Sequence, residues 1–244
     1  IVNAYRLAKE SGITSFGIQC MTGSGVLDPN YYPNLISKIL KTVKKLKDEL
    51  NIHMDYISLG GGYGIPYTDE DSPLNFDNVF NNVAQNFNVF FESRHEAKPA
   101  LWIEPGKSVV GDTGILLTRV TGKKDSYKSY IGVDAGMETL MRPALYGAYH
   151  RIYKVGDPDA LPSTKVDITG RICENTDRLA KDRLFPEVNE GDLLAVMDAG
   201  AYGFTMSNQF CTRPKVAEIF LAGEKPTLIR RRETIKDILR SCDV

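Results

Sequence analysis

The sequence has few cysteines and histidines and almost no net charge. Its four cysteines form no CxxC pair, which excludes a disulfide scaffold and suits a reducing compartment. Its three histidines show no metal-ligand spacing. The 30 basic and 31 acidic side chains give a formal charge of −1, so charge gives no reason to expect nucleic acid or an anionic membrane as partner. Composition therefore predicts a cytoplasmic protein that binds neither.

Long apolar runs are also missing. No segment approaches the roughly 20 apolar residues that a membrane-spanning helix requires. With 42% hydrophobic and 25% charged residues, the chain is ordinary globular protein. A hydrolase triad has no support, because no GxSxG occurs. The first residues carry no initiator Met and resemble the middle of a helix, so we expect the chain to begin inside a domain.

The first hundred residues alternate between helical and strand patterns. Apolar strands are predicted at 16–18, 56–59 and 100–103, and amphipathic helices at 1–11, 35–50 and 76–90. This regular alternation is typical of βα units with parallel strands. Three such units fit either the last part of an α/β barrel or part of an open sheet.

The pattern changes after Gly106. Short β-rich runs separated by Gly, Pro, Asp and Asn predict an antiparallel β domain, and one short helix is expected near the end at 233–239. The predicted strands are at 115–121, 130–134, 165–169, 193–197 and 216–221. We therefore predict two domains, residues 1–114 and residues 115–244.

Glycines and charged side chains follow the predicted strands of the first domain. Gly60, Gly61 and Gly62 form a turn whose backbone N–H groups suit a phosphate, although a tight βα turn without a ligand explains them equally well. The hydroxyl of Ser24 lies in an earlier turn of this kind. Glu104 and Lys107 end the third strand, where they either bind one charged ligand or form a surface ion pair.

Two further candidates lie in the second domain. Arg142 and Tyr146 combine a guanidinium with a phenol, which suits a carboxylate but also suits a packing loop. Cys173 and Glu174 combine a thiol with a carboxylate, although a lone cysteine is more often inert. Residue types alone leave both alternatives open.

Five segments in this order resemble the alanine-racemase-type fold family of decarboxylases that depend on pyridoxal phosphate (PLP). They are LGGGYG at 59–64, EPGKS at 104–108, DAGM at 134–137 with RPALYGAYH at 142–150, GRICE at 170–174 with Asp177, and DAGAYG at 198–203 through Arg213 and Pro214. The run at 142–150 resembles the diaminopimelate branch rather than the ornithine branch. The resemblance implies the C-terminal part of a PLP-binding (β/α)8 TIM barrel, followed by an antiparallel β-barrel or sandwich domain.

The resemblance also implies a role for each matching residue. The phosphate of PLP would be bound by Gly60, Gly61, Gly62, Ser24 and Tyr202, and Glu104 would pair with the pyridine nitrogen. A small amino-acid substrate would be bound by Lys107, Arg142, Tyr146 and Glu174. Cys173 would be catalytic and would approach the cofactor from the partner subunit, so a homodimer with its active site at the subunit interface is expected.

Three departures from the family pattern matter. The Schiff-base lysine segment near the start of the barrel does not occur, which implies an N-terminally truncated sequence that is inactive by itself. Met21 replaces a ring-stacking His, so it can cover the ring but cannot transfer a proton. Lys107 replaces an Arg and loses the planar fork.

Three functions follow as hypotheses. The first is decarboxylation of meso-2,6-diaminopimelate to L-lysine by the full-length parent. The second is a related decarboxylase for a basic amino acid or polyamine precursor, of ornithine, arginine or carboxynorspermidine type. The third is a non-catalytic homologue that regulates a decarboxylase, motivated by the absent lysine and by Met21.

Overall fold

The computed structural model describes residues 1–242. Its internal contacts divide the chain into two compact units, Ile1–Val109 and Val110–Val244. The sequence pattern predicts this division after residue 114. Among the described residues, no helix is both long and apolar enough to cross a membrane.

The first unit contains a three-stranded sheet covered by helices. Strands β1 (Gly17–Gln19), β2 (Tyr56–Ser58) and β3 (Ala100–Trp102) lie in the order β1-β2-β3, and both pairings are parallel. The helices are α1 (Val2–Glu10), α2 (Tyr31–Leu50), α3 (Phe76–Glu92) and the short α4 (Lys107–Val110). The predicted βα alternation and its parallel strands are therefore confirmed.

The core of the first unit lies between the sheet and helices α2 and α3. Apolar residues three or four apart place one face of each helix against the strands. Ile36, Leu46, Ile57, Leu59 and Val79 are almost completely buried there. Helix α3 begins at a true cap, because the side chain of Asn75 accepts a hydrogen bond from the backbone N–H of Asn78.

The second unit contains a six-stranded sheet in the order β6-β9-β4-β5-β7-β8 and a separate hairpin, β10-β11. The sheet strands are β4 (Leu116–Asp125), β5 (Ser129–Val133), β6 (Ile152–Lys154), β7 (Thr164–Thr169), β8 (Arg178–Phe185) and β9 (Leu193–Val196). The hairpin strands are β10 (Glu218–Ala222) and β11 (Lys225–Arg230). Helices α5 (Arg142–Tyr146) and α6 (Ile235–Ile238) complete the unit, together with four short 3-10 turns at Gly111–Thr113, Phe204–Met206, Phe210–Thr212 and Leu239–Ser241.

The sheet of the second unit is mixed rather than purely antiparallel. Strands β5 and β7 pair in parallel, whereas the other pairs are antiparallel. A long connection that includes α5 and β6 separates β5 from β7, and such a connection lets two strands run in the same direction. Strand β8 escaped prediction because its sequence, RLAKDRLF, is rich in charge, although it buries Leu179, Ala180 and Phe185.

Candidate functional site

The glycine turn after β2 is shaped by close approach to neighbouring backbone. A Cβ at Gly60 would lie 2.6 Å from the carbonyl oxygen of Cys20, and one at Gly61 would lie 2.6 Å from that of Glu104. Gly60 and Gly62 also have φ values of +66° and +92°, which side chains rarely adopt. Packing alone thus requires glycine here, whatever the turn binds.

Helix α2 and the 23–26 turn fasten this glycine turn in place. The buried hydroxyl of Tyr32 donates to the carbonyl of Gly61 at 3.1 Å. The N–H of Val26 donates to the carbonyl of Gly62 at 2.9 Å, and a Cβ at Gly62 would lie 3.5 Å from the Cα of Ser24. The structure therefore brings Ser24 next to Gly62.

Lys107 lies beside the 23–26 turn. A Cβ at Gly25 would lie 3.5 Å from the Nζ of Lys107, and this ammonium is 5.8 Å from the ring centre of Tyr67. The amino group is therefore close to the Ser24–Gly25 backbone. That position places a positive charge beside the residues expected to bind phosphate.

Glu104 is oriented by a buried serine that the sequence analysis did not single out. The hydroxyl of Ser58, at the end of β2, donates to Glu104 Oε1 at 2.6 Å. The N–H of Gly60 donates to the same Ser58 oxygen at 3.1 Å. Ser58 is only 1% exposed, whereas Glu104 is an exposed residue, so the serine holds the carboxylate from its buried side. A serine near the end of a predicted buried strand, just before a glycine turn, is the sequence feature that could have identified this residue.

The residues of the first unit fit a bound PLP. The N–H of Gly61 has the sulfur of Met21 as its partner at 3.2 Å, and a thioether is a weak acceptor that a phosphate oxygen would outcompete. Met21 itself is 54% exposed, so its side chain is available to cover a ring. The oriented carboxylate of Glu104 offers the acceptor that a protonated pyridine nitrogen needs.

Arg142 begins α5 and is held by His150. Nδ1 of His150 is 2.7 Å from the carbonyl oxygen of Met197, which can only accept, so Nδ1 carries the proton. Nε2 therefore accepts from Arg142 Nη1 at 2.9 Å. Burial, and then the charge of Arg142, lower the pKa of His150, which keeps the imidazole neutral in this role. Tyr146, at the other end of α5, is 66% exposed.

Glu174 lies in the loop between β7 and β8. Its Oε1 accepts from the N–H of Thr176 at 3.1 Å and from the hydroxyl of Thr176 at 3.0 Å. Glu174 also lines a cleft of about 500 Å³, together with Lys123 and Tyr130. Thr176 thus fixes the carboxylate while leaving it at an accessible wall.

Cys173 and Tyr202 are both exposed side chains of the second unit. The thiol of Cys173 is a hydrogen-bonding neighbour of Cys211; desolvation and this neighbour raise the pKa of the Cys211 thiol. Tyr202 has a φ of +59°, an unfavourable conformation for a non-glycine residue that is often found at functional sites. Cys211 was not predicted, because its neighbourhood depends on the fold.

Comparison with known proteins gives consistent matches. Residues 20–200 match the family described as pyridoxal-dependent decarboxylase, C-terminal sheet domain. The chain is 41% identical over 240 residues to a diaminopimelate decarboxylase of Methanothermobacter thermautotrophicus, a match that covers 98% of this chain and 56% of that protein. It is 39% identical to the diaminopimelate decarboxylase of Archaeoglobus fulgidus, covering 97% of this chain and 56% of that protein.

A solved structure shows the same relation in three dimensions. The diaminopimelate decarboxylase from M. jannaschii in complex with L-lysine superposes with a TM-score of 0.86 at 30% identity, covering 99% of this chain and 55% of that one. The chain therefore spans about half the length of the curated relatives it matches. Because the family match extends over most of the sequence and the fold agrees, the chain belongs to the pyridoxal-dependent decarboxylases.

Proposed function

We propose that the protein containing this chain decarboxylates meso-2,6-diaminopimelate to L-lysine. The observation that carries the proposal is Arg142, a buried guanidinium that neutral His150 orients. A fixed guanidinium suits a second carboxylate, which diaminopimelate has and ornithine lacks. The similarity to diaminopimelate decarboxylases at 41% and 39% identity supports the same substrate.

The first unit supplies the groups that would hold PLP. Gly60, Gly61 and Gly62, with the hydroxyl of Ser24, would bind the phosphate. The family resemblance predicts a further contact from the hydroxyl of Tyr202, a residue of the second unit. Glu104, oriented by Ser58, would accept a hydrogen bond from the protonated pyridine nitrogen and so keep the proton there. When bound, PLP supplies an electron-accepting ring for the electrons left by departing CO2.

The second unit supplies the groups that would hold the far end of the substrate. Arg142 and Tyr146 would bind the distal carboxylate, and Glu174 would bind the distal amine. Lys107, a residue of the first unit that is also predicted to bind substrate, lies beside Gly25, where its charge would also attract the phosphate. Binding at the far end selects for substrate length, since only a molecule that satisfies both ends uses the whole site.

Cys173 would act from the partner subunit of a homodimer. Its thiol is exposed on a loop rather than buried in the core, as a residue that serves a neighbouring subunit must be. Dimerisation would then complete each active site.

The test is product formation by the natural protein that contains this sequence. We expect release of CO2 and lysine from meso-diaminopimelate with added PLP, and much less release of CO2 from ornithine. Release from ornithine alone would move the protein to the related branch. PLP binding without turnover of either substrate would favour the regulatory alternative.

Arg142→Ala tests the substrate end directly. We expect the KM for diaminopimelate to rise about 30-fold, because removing one partner of a charged pair costs about 2 kcal/mol or more. Arg119→Ala serves as the matched control, since this exposed arginine of the second unit donates to the carbonyl of Gly191. An unchanged KM in the Arg142 variant would rule out the assigned role.

A further inference from the structure

Two cysteines that are distant in sequence lie next to each other in the second unit. Cys173 belongs to the loop between β7 and β8, and Cys211 belongs to the 3-10 turn Phe210–Thr212. The thiol of Cys211 is within hydrogen-bonding reach of both the thiol and the backbone N–H of Cys173. Both side chains are exposed. The fold therefore brings two accessible thiols together, which no spacing in the sequence predicts.

Charged side chains hold the two cysteine-bearing segments side by side. Nη2 of Arg213, two residues after Cys211, donates to the carbonyl of Arg171 at 3.5 Å. Arg171 lies two residues before Cys173, and its Nε donates to Oε1 of the buried Glu138 at 3.0 Å. The approach of the two thiols is thus supported by contacts other than their own.

Asp177 fixes the loop directly before Cys173. Its Oδ2 accepts from the N–H of Ile172 at 3.0 Å, and its Oδ1 accepts from the N–H of Met137 at 2.7 Å. Only 4% of Asp177 is exposed. Asp177 therefore joins the Cys173 loop to the segment before α5, which helps to set where the Cys173 thiol lies.

The turn that carries Cys211 has an unfavourable backbone conformation. Cys211 and Thr212 have φ values of +55° and +57°, in the left-handed region that residues other than glycine rarely adopt. The N–H of Thr212 donates to the carbonyl of Gln209 at 2.8 Å, which holds the turn in this form. Strained backbone of this kind is concentrated at functional sites, and here it accompanies a thiol that lies beside Cys173.

We propose that Cys173 and Cys211 form a redox-sensitive site, in which a hydroperoxide converts the two thiols into a reversible disulfide within one chain. An S–S bond requires the two sulfurs to approach to about 2 Å. A loop and a short turn can make this movement more easily than two paired strands. In a reducing compartment, disulfides are usually transient and redox-sensing, which is the behaviour proposed here.

The reaction balances with hydrogen peroxide as the oxidant. The thiolate of Cys173 attacks one peroxide oxygen, an S–O bond forms, the O–O bond breaks, and the released hydroxide takes the thiol proton to become water. Cys211 then attacks the sulfenic sulfur, an S–S bond forms, and the hydroxyl leaves as water with the Cys211 proton. The two sulfurs lose two electrons, which reduce one peroxide to two waters. Desolvation and then Cys173 raise the pKa of Cys211, which suits its entry as a thiol in the second step.

The consequence for catalysis rests on the proposed function, in which Cys173 acts in the active site of the partner subunit. The disulfide would join Cys173 to Cys211 of its own chain and so remove the Cys173 thiol from that site. Hydrogen peroxide is smaller than an amino-acid substrate, so it can reach Cys173 wherever the substrate reaches the same site. Each disulfide would therefore inactivate one active site of the homodimer.

The first test maps the disulfide in the natural protein after treatment with hydrogen peroxide. We expect mass spectrometry of an unreduced digest to find the Cys173 and Cys211 peptides joined, and dithiothreitol to separate them. Cys242→Ser, which removes another exposed cysteine of this unit, is the matched control and should give the same joined peptides. A link from Cys173 to any other cysteine, or no link at all, would overturn the proposal.

The second test measures whether the loss of activity is reversible. We expect excess peroxide to lower CO2 release from meso-diaminopimelate at least tenfold, and dithiothreitol to restore it. Cys211→Ser should start with normal activity but stay inactive after dithiothreitol, because without a resolving thiol Cys173 is oxidised further to the irreversible sulfinic acid. Cys242→Ser should recover like the wild type. Equal recovery in Cys211→Ser and in the wild type would contradict the role of Cys211.

The two tests fail independently of each other's premises, because mapping the disulfide needs no turnover. Joined peptides in a protein that decarboxylates neither diaminopimelate nor ornithine would support the disulfide and refute the diaminopimelate assignment. An active decarboxylase whose Cys173 and Cys211 peptides stay separate after peroxide treatment would refute the disulfide and leave the proposed function intact.

Discussion

The two clusters of candidate site residues, the glycine turn with Glu104 in the first unit and Arg142 with Glu174 in the second, are built in different ways. In the first unit, backbone groups at strand ends form the turn, and neighbouring carbonyl oxygens crowd Gly60 and Gly61. In the second unit, buried side chains position the candidate residues, because His150 orients Arg142 and Asp177 holds the Glu174 loop. The first cluster therefore depends on sterics, whereas the second depends on hydrogen-bonding chemistry.

Substitution at Gly62 should give the largest effect, and it tests whether close backbone approach determines the structure of the first cluster. In Gly62→Ala the new Cβ meets a φ of +92° and also overlaps the carbonyl of Gly23. We therefore expect the free energy of unfolding to fall by about 3 kcal/mol. Gly12→Ala is the control, since Gly12 has a φ of +88° but no heavy atom within 4 Å. It should cost about 1 kcal/mol. Equal losses in denaturant titrations would mean that backbone strain, not close approach, requires Gly62.

Ser58 tests whether the first cluster also needs a side chain. Ser58→Ala removes the donor to Glu104 Oε1 and the acceptor for Gly60 N–H, so we expect about 1–2 kcal/mol less stability. We also expect kcat in the natural protein to fall about tenfold, because a freely rotating Glu104 pairs less well with the pyridine nitrogen. Ser37→Ala, which removes a hydroxyl bonded to the Pro33 carbonyl on α2, should leave kcat unchanged. A normal kcat in the Ser58 variant would show that Glu104 does not need the Ser58 hydroxyl to reach its working position.

Substitution of His150 should give the smallest effect, and it tests the hydrogen bonding in the second cluster. Its pKa is lowered in the folded protein, so the unfolded chain takes up a proton near pH 6.5 while the folded protein does not. Stability from this group is therefore complete above pH 6.5 and falls as the pH drops toward the folded pKa, by less than about 1.4 kcal/mol per pH unit.

The measurement is the unfolding free energy of His150→Gln between pH 7 and pH 5. Glutamine can accept from Arg142 without titrating, so this variant should lose less stability on acidification than the wild type. The same acid-induced loss in the variant and in the wild type would remove His150 as its source.

The sequence predicted much of the fold but only part of each cluster. Periodicity located the parallel strands of the first unit, because apolar spacing directly reflects burial. Strand β8 was missed, since the consecutive exposed residues Lys181 and Asp182 interrupt its apolar pattern, and only pairing with β7 reveals the strand. The parallel β5–β7 pair was also missed, because strand direction depends on how a long connection crosses the sheet.

By itself, the sequence determined the order of the motifs, the family they resemble and the glycines at strand ends, because these features are local and chemically distinctive. Only the tertiary structure decided that Ser58 orients Glu104, that His150 accepts from Arg142 and that Asp177 joins two distant segments. These contacts link residues that burial brings together, and a one-dimensional pattern carries no record of which buried polar groups meet.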